Sequence, residues 1–210
     1  TRITGIKQIS INGIKLRMSN GMSVKYSLKE KSLVLNQTKP TDWVLIHNSY
    51  ISGWTISLNG IITNSSTSAP KQRLNAQGLT GCLTFYNAEL RDTSLFVNNG
   101  QCEDSLNFIN TNGRKIAIRI HNSYADAVDA DFSSLDIEHL HVSNAGNDCF
   151  DVSSGKYVVA VSKLLRCGDK GVSVGEKSYF EANKILLKDA LVGISAKDFS
   201  RAFVKSLNVE

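Results

Sequence analysis

The chain has 210 residues, 41% of them hydrophobic, and a formal net charge of +5. It contains no apolar run of about 18 residues, the length needed to cross a bilayer, so no membrane span is expected. Its Lys and Arg residues are spread along the whole length instead of being clustered, which argues against a dedicated nucleic-acid surface. A mildly basic surface would suit acidic polysaccharides, although solvated lysines on outward strand positions explain the same charge.

Residues 1–40 show a period-two alternation of apolar and polar side chains, which is typical of β-strands. The pairs Asn12-Gly13 and Asn20-Gly21 are strong signals for hairpins or tight turns. This segment could form the first irregular turns of a larger β structure or a small β cap over its exposed end, and we favour the cap. Residues 41–210 are expected to form the main β domain, which begins with strands at 43–46 and 54–58.

Residues 63–78 interrupt the strand pattern. Asn64 to Arg73 have the composition of turns and loops and no apolar period. We therefore expect a loop excursion from the wall of the domain at about 63–78. Such insertions often lie on a binding face, although a plain surface loop explains this one equally well.

A 22-residue repeat is the strongest signal in the chain. One column of equivalent positions contains Asp104, Asp126, Asp148 and Lys170, and a second, three residues further on, contains Asn107, Asp129, Asp151 and Ser173. Between them lies an apolar column formed by Leu106, Val128, Phe150, Val172 and Ile194. A repeat of this length with alternating strands predicts an all-β solenoid, specifically a right-handed parallel β-helix with 22-residue coils. Stacking would place equivalent side chains about 4.8 Å apart, with no insertion or deletion needed after Asp104.

The four cysteines, Cys82, Cys102, Cys149 and Cys167, lack the spacing of a metal site. They also do not share one column of the 22-residue repeat. We expect them to be small buried residues of the wall, with room for one disulfide but no disulfide framework.

Successive coils resemble right-handed parallel β-helix proteins of the pectate-lyase-like superfamily. The residues that carry this resemblance are Asp126–Ser133 (DAVDADFS), Gly146–Ser153 (GNDCFDVS), Gly168–Ser178 (GDKGVSVGEKS) and Gly193–Ser200 (GISAKDFS). More narrowly, they are similar to a bacterial subgroup found in surface-polysaccharide and spore-coat-kinase-associated proteins. The resemblance covers about residues 79–210. It implies an envelope or extracellular protein that acts on or holds an acidic surface polysaccharide, but it is much less specific for activity.

The aspartate columns are the candidate site. Members of the superfamily with lyase activity use calcium on aspartate clusters to neutralise a uronate, so the resemblance implies a calcium site at Asp126, Asp148 and Asp151. Calcium takes oxygen ligands in flexible geometry, which suits stacked carboxylates. The alternative is that these aspartates accept hydrogen bonds from backbone amides at turns, the commonest role of Asp and Asn in loops.

Lys170, which ends the aspartate column, is a candidate catalytic base together with Asp148 and Asp151. A base next to a uronate would need a pKa lowered by burial, whereas carboxylate neighbours such as Asp169 and Glu176 would raise it and form an ion pair. The predicted substrate-binding residues are Asp126, Asp129, Glu176 and Lys197. For Lys197, a salt bridge with Glu176 or Asp198 is the competing interpretation.

Two functions therefore remain open. One is a lyase- or epimerase-like protein that modifies or binds an acidic polysaccharide, and the other is a noncatalytic structural or assembly module of a larger envelope protein. The N-T-D, D-D, G-H-G and R-I-K segments of pectin hydrolases and the D-P-H-D segment of alginate epimerases are absent. His121, His139 and His141 lie together in the repeat, away from the aspartates, and are expected to be solvated or wall residues. The strand pattern continues to Glu210, so we expect the last coil to be covered by further residues or by another chain, in an end-to-end contact or a homo-oligomer.

Overall fold

The computed structural model describes residues 5–61, 73–75 and 77–210, and these residues form an all-β structure. Most of the predicted loop at 63–78 lies outside them. No helix in the described part of the chain is long and apolar enough to cross a membrane. The strands are β1 (Ile6–Ile11), β2 (Ile14–Ser19), β3 (Ser23–Ser27), β4 (Ser32–Asn36), β5 (Val44–His47), β6 (Tyr50–Ser52), β7 (Thr55–Asn59), β8 (Gly81–Tyr86), β9 (Glu89–Arg91), β10 (Ser94–Gly100), β11 (Asp104–Ile109), β12 (Asn112–Ser123), β13 (Asp126–Asp131), β14 (Ser134–Ala145), β15 (Phe150–Ser153), β16 (Lys156–Gly175), β17 (Tyr179–Ala196) and β18 (Arg201–Val209).

The predicted solenoid is confirmed, because strands of successive coils pair in parallel and in register. They form three faces, which we name by their residues. Face A contains β5, β8, β11, β13, β15 and residues 172–175. Face B contains β6, β9 and residues 112–114, 134–137, 156–159 and 179–182. Face C contains β7, β10 and residues 117–123, 139–145, 161–167 and 184–190.

The predicted apolar column forms the core behind face A. Leu106 pairs with Val128, Val128 with Phe150 and Phe150 with Val172, and all four side chains are buried. Aromatic rings also contribute to this core, since Phe150 contacts Tyr157 and Phe180 edge-on, each with ring centroids 6.3 Å apart. Stacking of equivalent residues therefore builds one continuous core along the axis.

Asparagines at the corners allow the chain to turn between faces. Asn48, Asn87 and Asn110 all have φ near +50°, a left-handed conformation that Asn tolerates better than most residues. Their side chains are linked between coils, because Asn87 Nδ2 donates to Asn48 Oδ1 and Asn110 Nδ2 donates to Asn87 Oδ1 (3.0 Å). The same residue type thus satisfies both the backbone turn and the stacking of coils.

The 22-residue period is not strict on every face. On face A Val172 pairs with Ile194, 22 residues later, but on face B Tyr157 pairs with Phe180, 23 residues later. The turn through Glu176 and Lys177 holds the extra residue, and both of these residues have positive φ. A register shift between Cys167 and Lys170 restores the period. The expectation that no insertion occurs after Asp104 was therefore wrong, because a turn can absorb one residue without disturbing the face A columns.

The first strands differ from the later coils in pairing antiparallel. β1 and β2 form a hairpin around Asn12-Gly13, and β3 and β4 form a second one. β4 also lies parallel to β7, which connects this hairpin to the stack. Both Asn-Gly pairs form turns, as predicted: Asn12-Gly13 lies in a hairpin, and Asn20-Gly21 lies between β2 and β3. The second hairpin turns at residues 28–31.

Two disulfides, Cys82–Cys102 and Cys149–Cys167, join the four cysteines, with Cα atoms 5.3 and 5.4 Å apart. The expectation of at most one disulfide was therefore wrong. Cys149 and Cys167 lie in two neighbouring columns of the repeat. They belong to the same coil, and their side chains meet across the corner between faces C and A. Two coils earlier, Ser105 and Ser123 occupy the same positions and form a hydrogen bond of 2.8 Å. A loop of this length contributes about 3 kcal/mol in the chain-entropy account.

Replacing Phe150 by Ala should lower the free energy of unfolding by about 3 to 5 kcal/mol, the usual cost of removing a large buried side chain. The measurement is urea denaturation monitored by circular dichroism. Phe132→Ala is the matched control, because Phe132 is 63% exposed at a corner. A loss below about 1 kcal/mol for Phe150→Ala would contradict the packing of this column.

Candidate functional site

The aspartate column lies at the corner between faces C and A, where its side chains are buried. Asp104, Asp126 and Asp148 are only 2%, 7% and 3% exposed. The backbone N–H of Asp148 donates to Asp126 Oδ1 (2.8 Å), and the N–H of Lys170 donates to Asp148 Oδ1 (2.8 Å). These two aspartates therefore bind the backbone of the following coil, which is the turn-bonding alternative raised by the sequence.

The calcium site predicted at Asp126, Asp148 and Asp151 has little free oxygen to offer. Asp126 Oδ1 accepts a second hydrogen bond, from Asn147 Nδ2 (2.8 Å), and Asp148 Oδ1 accepts one from the Lys170 ammonium (3.4 Å). Among the residues that the structure describes, no three His, Cys, Asp or Glu side chains are grouped so as to hold a metal ion. These hydrogen bonds engage Oδ1 of both aspartates, whereas calcium takes six to eight oxygen ligands. A calcium site here stays a prediction.

Lys170 is held in an ion pair. Its Nζ donates to Asp169 Oδ2 and to Asp148 Oδ1. The hydrogen bond to Asp169 is the main cause that raises the pKa of Lys170 above its ordinary value, and it outweighs the opposing effect of desolvation. A general base must release its proton near the working pH. This geometry therefore favours the ion-pair interpretation over the predicted catalytic role.

The second column, three residues further along each coil, faces outward on face A. Asn107, Asp129 and Asp151 pair in register across three coils, followed by Ser173. Asn107 Nδ2 donates to Asp129 Oδ2 (3.0 Å). Asn107 and Ser173 are buried, whereas Asp129 and Asp151 are half-buried. No backbone amide of the described residues is found to bind the carboxyl group of either aspartate.

Asp104 and Asp129 form a carboxyl pair that sequence analysis did not predict. Their side chains are hydrogen-bonded to each other, and Asp104 is also bonded to Thr80. Asp104 Oδ2 is buried and finds no ordinary donor among the described residues. A hydrogen bond between two carboxyl groups requires one of them to be protonated, so the pair shares a proton. The sequence places Asp104 in the same column as Asp126. It does not show that Asp104 meets Asp129 of the next coil, because that contact depends on how the corner bends.

Burial is the main cause of the unusual pKa values in this corner. It raises the pKa of Asp129 to about 9, with Asp104, Asp131 and Asp151 adding repulsion. It raises the pKa of Asp104 to about 7 and that of Asp126 to about 6, against the hydrogen bonds that lower them. Several carboxyl groups here therefore hold protons well above the pH at which an exposed aspartate ionises.

The remaining predicted residues lie at the rim of face A. Glu176 is exposed in the turn after face A, where the hydroxyl of Ser154 donates to its backbone carbonyl (3.1 Å). Burial is the main cause that raises the pKa of Asp131, and repulsion from Glu176 and Asp151 adds to it. Lys197 is exposed, and its aliphatic chain lies beside Gly175. Within the described residues it makes no ion pair with Glu176 or Asp198.

Two shallow surface depressions lie away from these aspartates. One, on face B, is lined by residues that include Glu89, Arg114, Asp136 and Lys156. The other, at the end of face C, is lined by residues that include Asn144, Arg166 and Asp189. Neither depression is lined by the predicted aspartates.

Comparisons of the chain with protein-family models, with curated proteins and with solved structures found no match. The solenoid fold therefore rests on the observed stacking of the coils. Membership of the pectate-lyase-like superfamily stays a prediction.

Replacing Asp148 by Ala should lower the free energy of unfolding by about 1 to 3 kcal/mol, because the amide of Lys170 loses its acceptor in a buried corner. Asp151→Ala is the matched control on the same coil. It should change stability by no more than about 0.5 kcal/mol or should stabilise, because its carboxylate repels its neighbours. Equal losses of unfolding free energy for the two variants in urea denaturation would contradict a specific role of Asp148 in bonding the backbone of the next coil.

Stability should fall as the pH rises from about 4 to about 9. In the folded protein Asp129 keeps its proton up to about pH 9, whereas in the unfolded chain it ionises near pH 4. The folded state therefore binds more protons than the unfolded state within this window, and unfolding becomes more favourable as protons are withdrawn. Urea denaturation at pH 5, 7 and 9 measures this slope.

The variant Asp129→Asn should reduce the slope and be more stable than the wild type at pH 8. The amide can donate to Asp104 and still accept the hydrogen bond from Asn107, so the pair no longer needs a shared proton. Asp136→Asn, at an exposed position outside this pair, is the control. An unchanged slope in Asp129→Asn would exclude the shared proton as its source.

Proposed function

We propose that the protein binds an acidic polysaccharide without cleaving it. The observation that carries this proposal is the register of the outward columns, in which equivalent side chains of consecutive coils lie side by side. Strand spacing makes these positions repeat at about 4.8 Å along the axis. A linear polymer with one charged group per sugar can make the same contact on successive coils. Such an arrangement suits a repeating ligand better than a single small molecule.

The contacts of the predicted catalytic residues support binding over catalysis. Lys170 forms ion pairs with Asp169 and Asp148, and Asp148 accepts a hydrogen bond from the backbone of the next coil. Freeing either one would break contacts that connect two coils. A lyase or epimerase needs a base that can give up its proton, and this corner does not offer one in Lys170.

The disulfides support the predicted envelope or extracellular location. Disulfides persist in oxidising compartments and are rare in the reducing cytosol. Both bonds lie in the wall of the solenoid, with Cys82 and Cys149 fully buried. Surface polysaccharides are found in the same oxidising setting, which is consistent with the proposed ligand.

The test is a panel of neutral and acidic polysaccharides, measured for binding and for cleavage. Retention in affinity electrophoresis reports binding, and ultraviolet absorbance reports the unsaturated ends that a lyase creates. We expect retention of acidic polymers, no new absorbance and no new reducing ends, with calcium or with a chelator. Cleavage would overturn the noncatalytic proposal, and a lack of retention of every polymer would overturn binding.

Assembly of two copies through the last coil is a second candidate. β18 pairs with β17 on one side, and no strand of the described residues pairs with its other edge. Phe203, Leu207 and Val209 are 53%, 48% and 63% exposed there. Exposed apolar edge strands promote pairing between chains. Light scattering over a range of concentrations tests this idea, and a monomer at all concentrations would exclude it.

A further inference from the structure

Face C carries a continuous basic surface that the predicted site does not include. The cationic and histidine side chains of three adjacent outward columns define it, and we name it the basic strip: Arg119, His121, His139, His141, Lys163, Lys184 and Lys188. The register aligns Arg119 with His141 and His141 with Lys163 in the central column. His139 aligns with Val161 and Val161 with Lys184 in one flanking column. The basic strip thus covers four consecutive coils, about 15 Å along the axis.

No carboxylate interrupts these columns. From β7 to β18 their other members are Thr55, Ser57, Asn59, Ser94, Phe96, Asn98, Ala117, Ser143, Val161, Leu165, Leu186, Ser206 and Asn208. Among the described residues, none of Arg119, Lys163, Lys184 or Lys188 forms an ion pair. All four are exposed. Solvated lysines on a protein surface are ordinarily interspersed with acidic residues, so a strip of one sign over four coils is a specific feature.

His141 lies among the positively charged side chains of the basic strip. Burial lowers the pKa of this imidazole, and Lys163, Arg119 and His121 lower it further by repulsion. Arg119 is held in place over the ring of Phe96, with Cζ 5.9 Å from the ring centroid. The field at the centre of the strip is therefore positive even before the histidines are protonated, and it would attract an anionic ligand.

We propose that the basic strip is the binding surface for an acidic polysaccharide that lies along the solenoid axis, with about one carboxylate or sulfate facing each coil. This inference rests on the proposed function and assigns it to face C instead of the aspartate columns of face A. The acidic columns would repel a polyanion unless a cation intervened, whereas the basic strip needs none. Its flat, open shape suits an extended chain.

An acidic polysaccharide fits the basic strip better than a nucleic acid does. Each strand of a DNA duplex carries one phosphate about every 3.4 Å along the helix axis, a closer charge spacing than the coils provide. Proteins that bind single strands also use exposed aromatic rings on which bases stack. The outward columns contain one aromatic residue, Phe96, and Arg119 covers it.

Binding should strengthen as the pH falls from 8 to 5.5. Histidine is the side chain whose charge ordinarily changes in this range, while polymer carboxylates with a pKa of about 4 stay ionised. Arg119, Lys163, Lys184 and Lys188 face the histidines from the neighbouring strands. The nearest carboxylates in sequence or register border the strip, at Asp136, Glu138, Glu181, Asp189 and Glu210. A bound polyanion would reverse the repulsion on His141 and favour its protonation.

The test compares two double variants with the same change in net charge. Lys163→Glu/Lys184→Glu alters the basic strip, and Lys15→Glu/Lys29→Glu alters exposed lysines near the N-terminal hairpins. The probe is polygalacturonate, with its methyl ester as the uncharged control, in the presence of a chelator. We expect the first variant to bind at least about tenfold more weakly than the wild type and the second to change little. Circular dichroism checks the fold, and Lys163→Gln/Lys184→Gln replaces the first variant if it does not fold.

The outcomes separate this proposal from the proposed function. Equal weakening in both variants, or none in the first, would show that the polymer binds elsewhere, while binding itself would stand. Lack of binding by the wild type to any polysaccharide would overturn both. Tighter binding of a single-stranded oligonucleotide than of polygalacturonate would overturn the assignment in favour of a nucleic acid. Affinity that does not rise at pH 5.5, or that rises equally when the three histidines are replaced by Gln, would overturn the role of the histidines.

Discussion

The structure depends on the parallel pairing of each coil with the next. A single coil has no partner for the backbone N–H and C=O groups that point along the axis, and it cannot bury its apolar residues alone, so every coil depends on its neighbours. Parallel register then imposes the same residue type at the same position, because equivalent side chains lie against each other about 4.8 Å apart. The buried series Leu106, Val128, Phe150 and Val172 is the clearest result of this constraint.

Polar residues obey the same constraint and become links between coils. Asp126 accepts the amide of Asp148 in the next coil, and corner asparagines bond their counterparts. Such a link satisfies polar groups that would otherwise be buried without partners. This explains why a column of aspartates, which suggests a metal site in the sequence, serves in part as a ladder that holds coils together. Where a link is missing, as between Asp104 and Asp129, the carboxyl groups share a proton instead.

Charge is distributed unevenly over the faces that this stacking creates. Carboxyl groups collect at the corner next to face A, whereas cations and histidines collect on face C without an acidic residue between them. The chain as a whole is only mildly basic, with a net charge of +5. An average over the sequence therefore conceals two surfaces of opposite character. Their separation is the basis for assigning the proposed polyanion to face C instead of face A.

The sequence by itself determined the solenoid, the face A register and the inward column, because a repeated pattern of apolar residues has one way to bury itself. It also placed the histidines together. Only the tertiary structure decided which polar side chains meet across a corner. Cys149 and Cys167 lie in different columns and yet form a disulfide, and Lys170 is drawn to Asp169 and Asp148. The periodic pattern specifies neighbours along the axis, whereas contacts around a coil depend on how sharply each corner bends, which the repeat does not encode. The basic strip likewise depends on the tertiary structure, which places residues from four coils on one face.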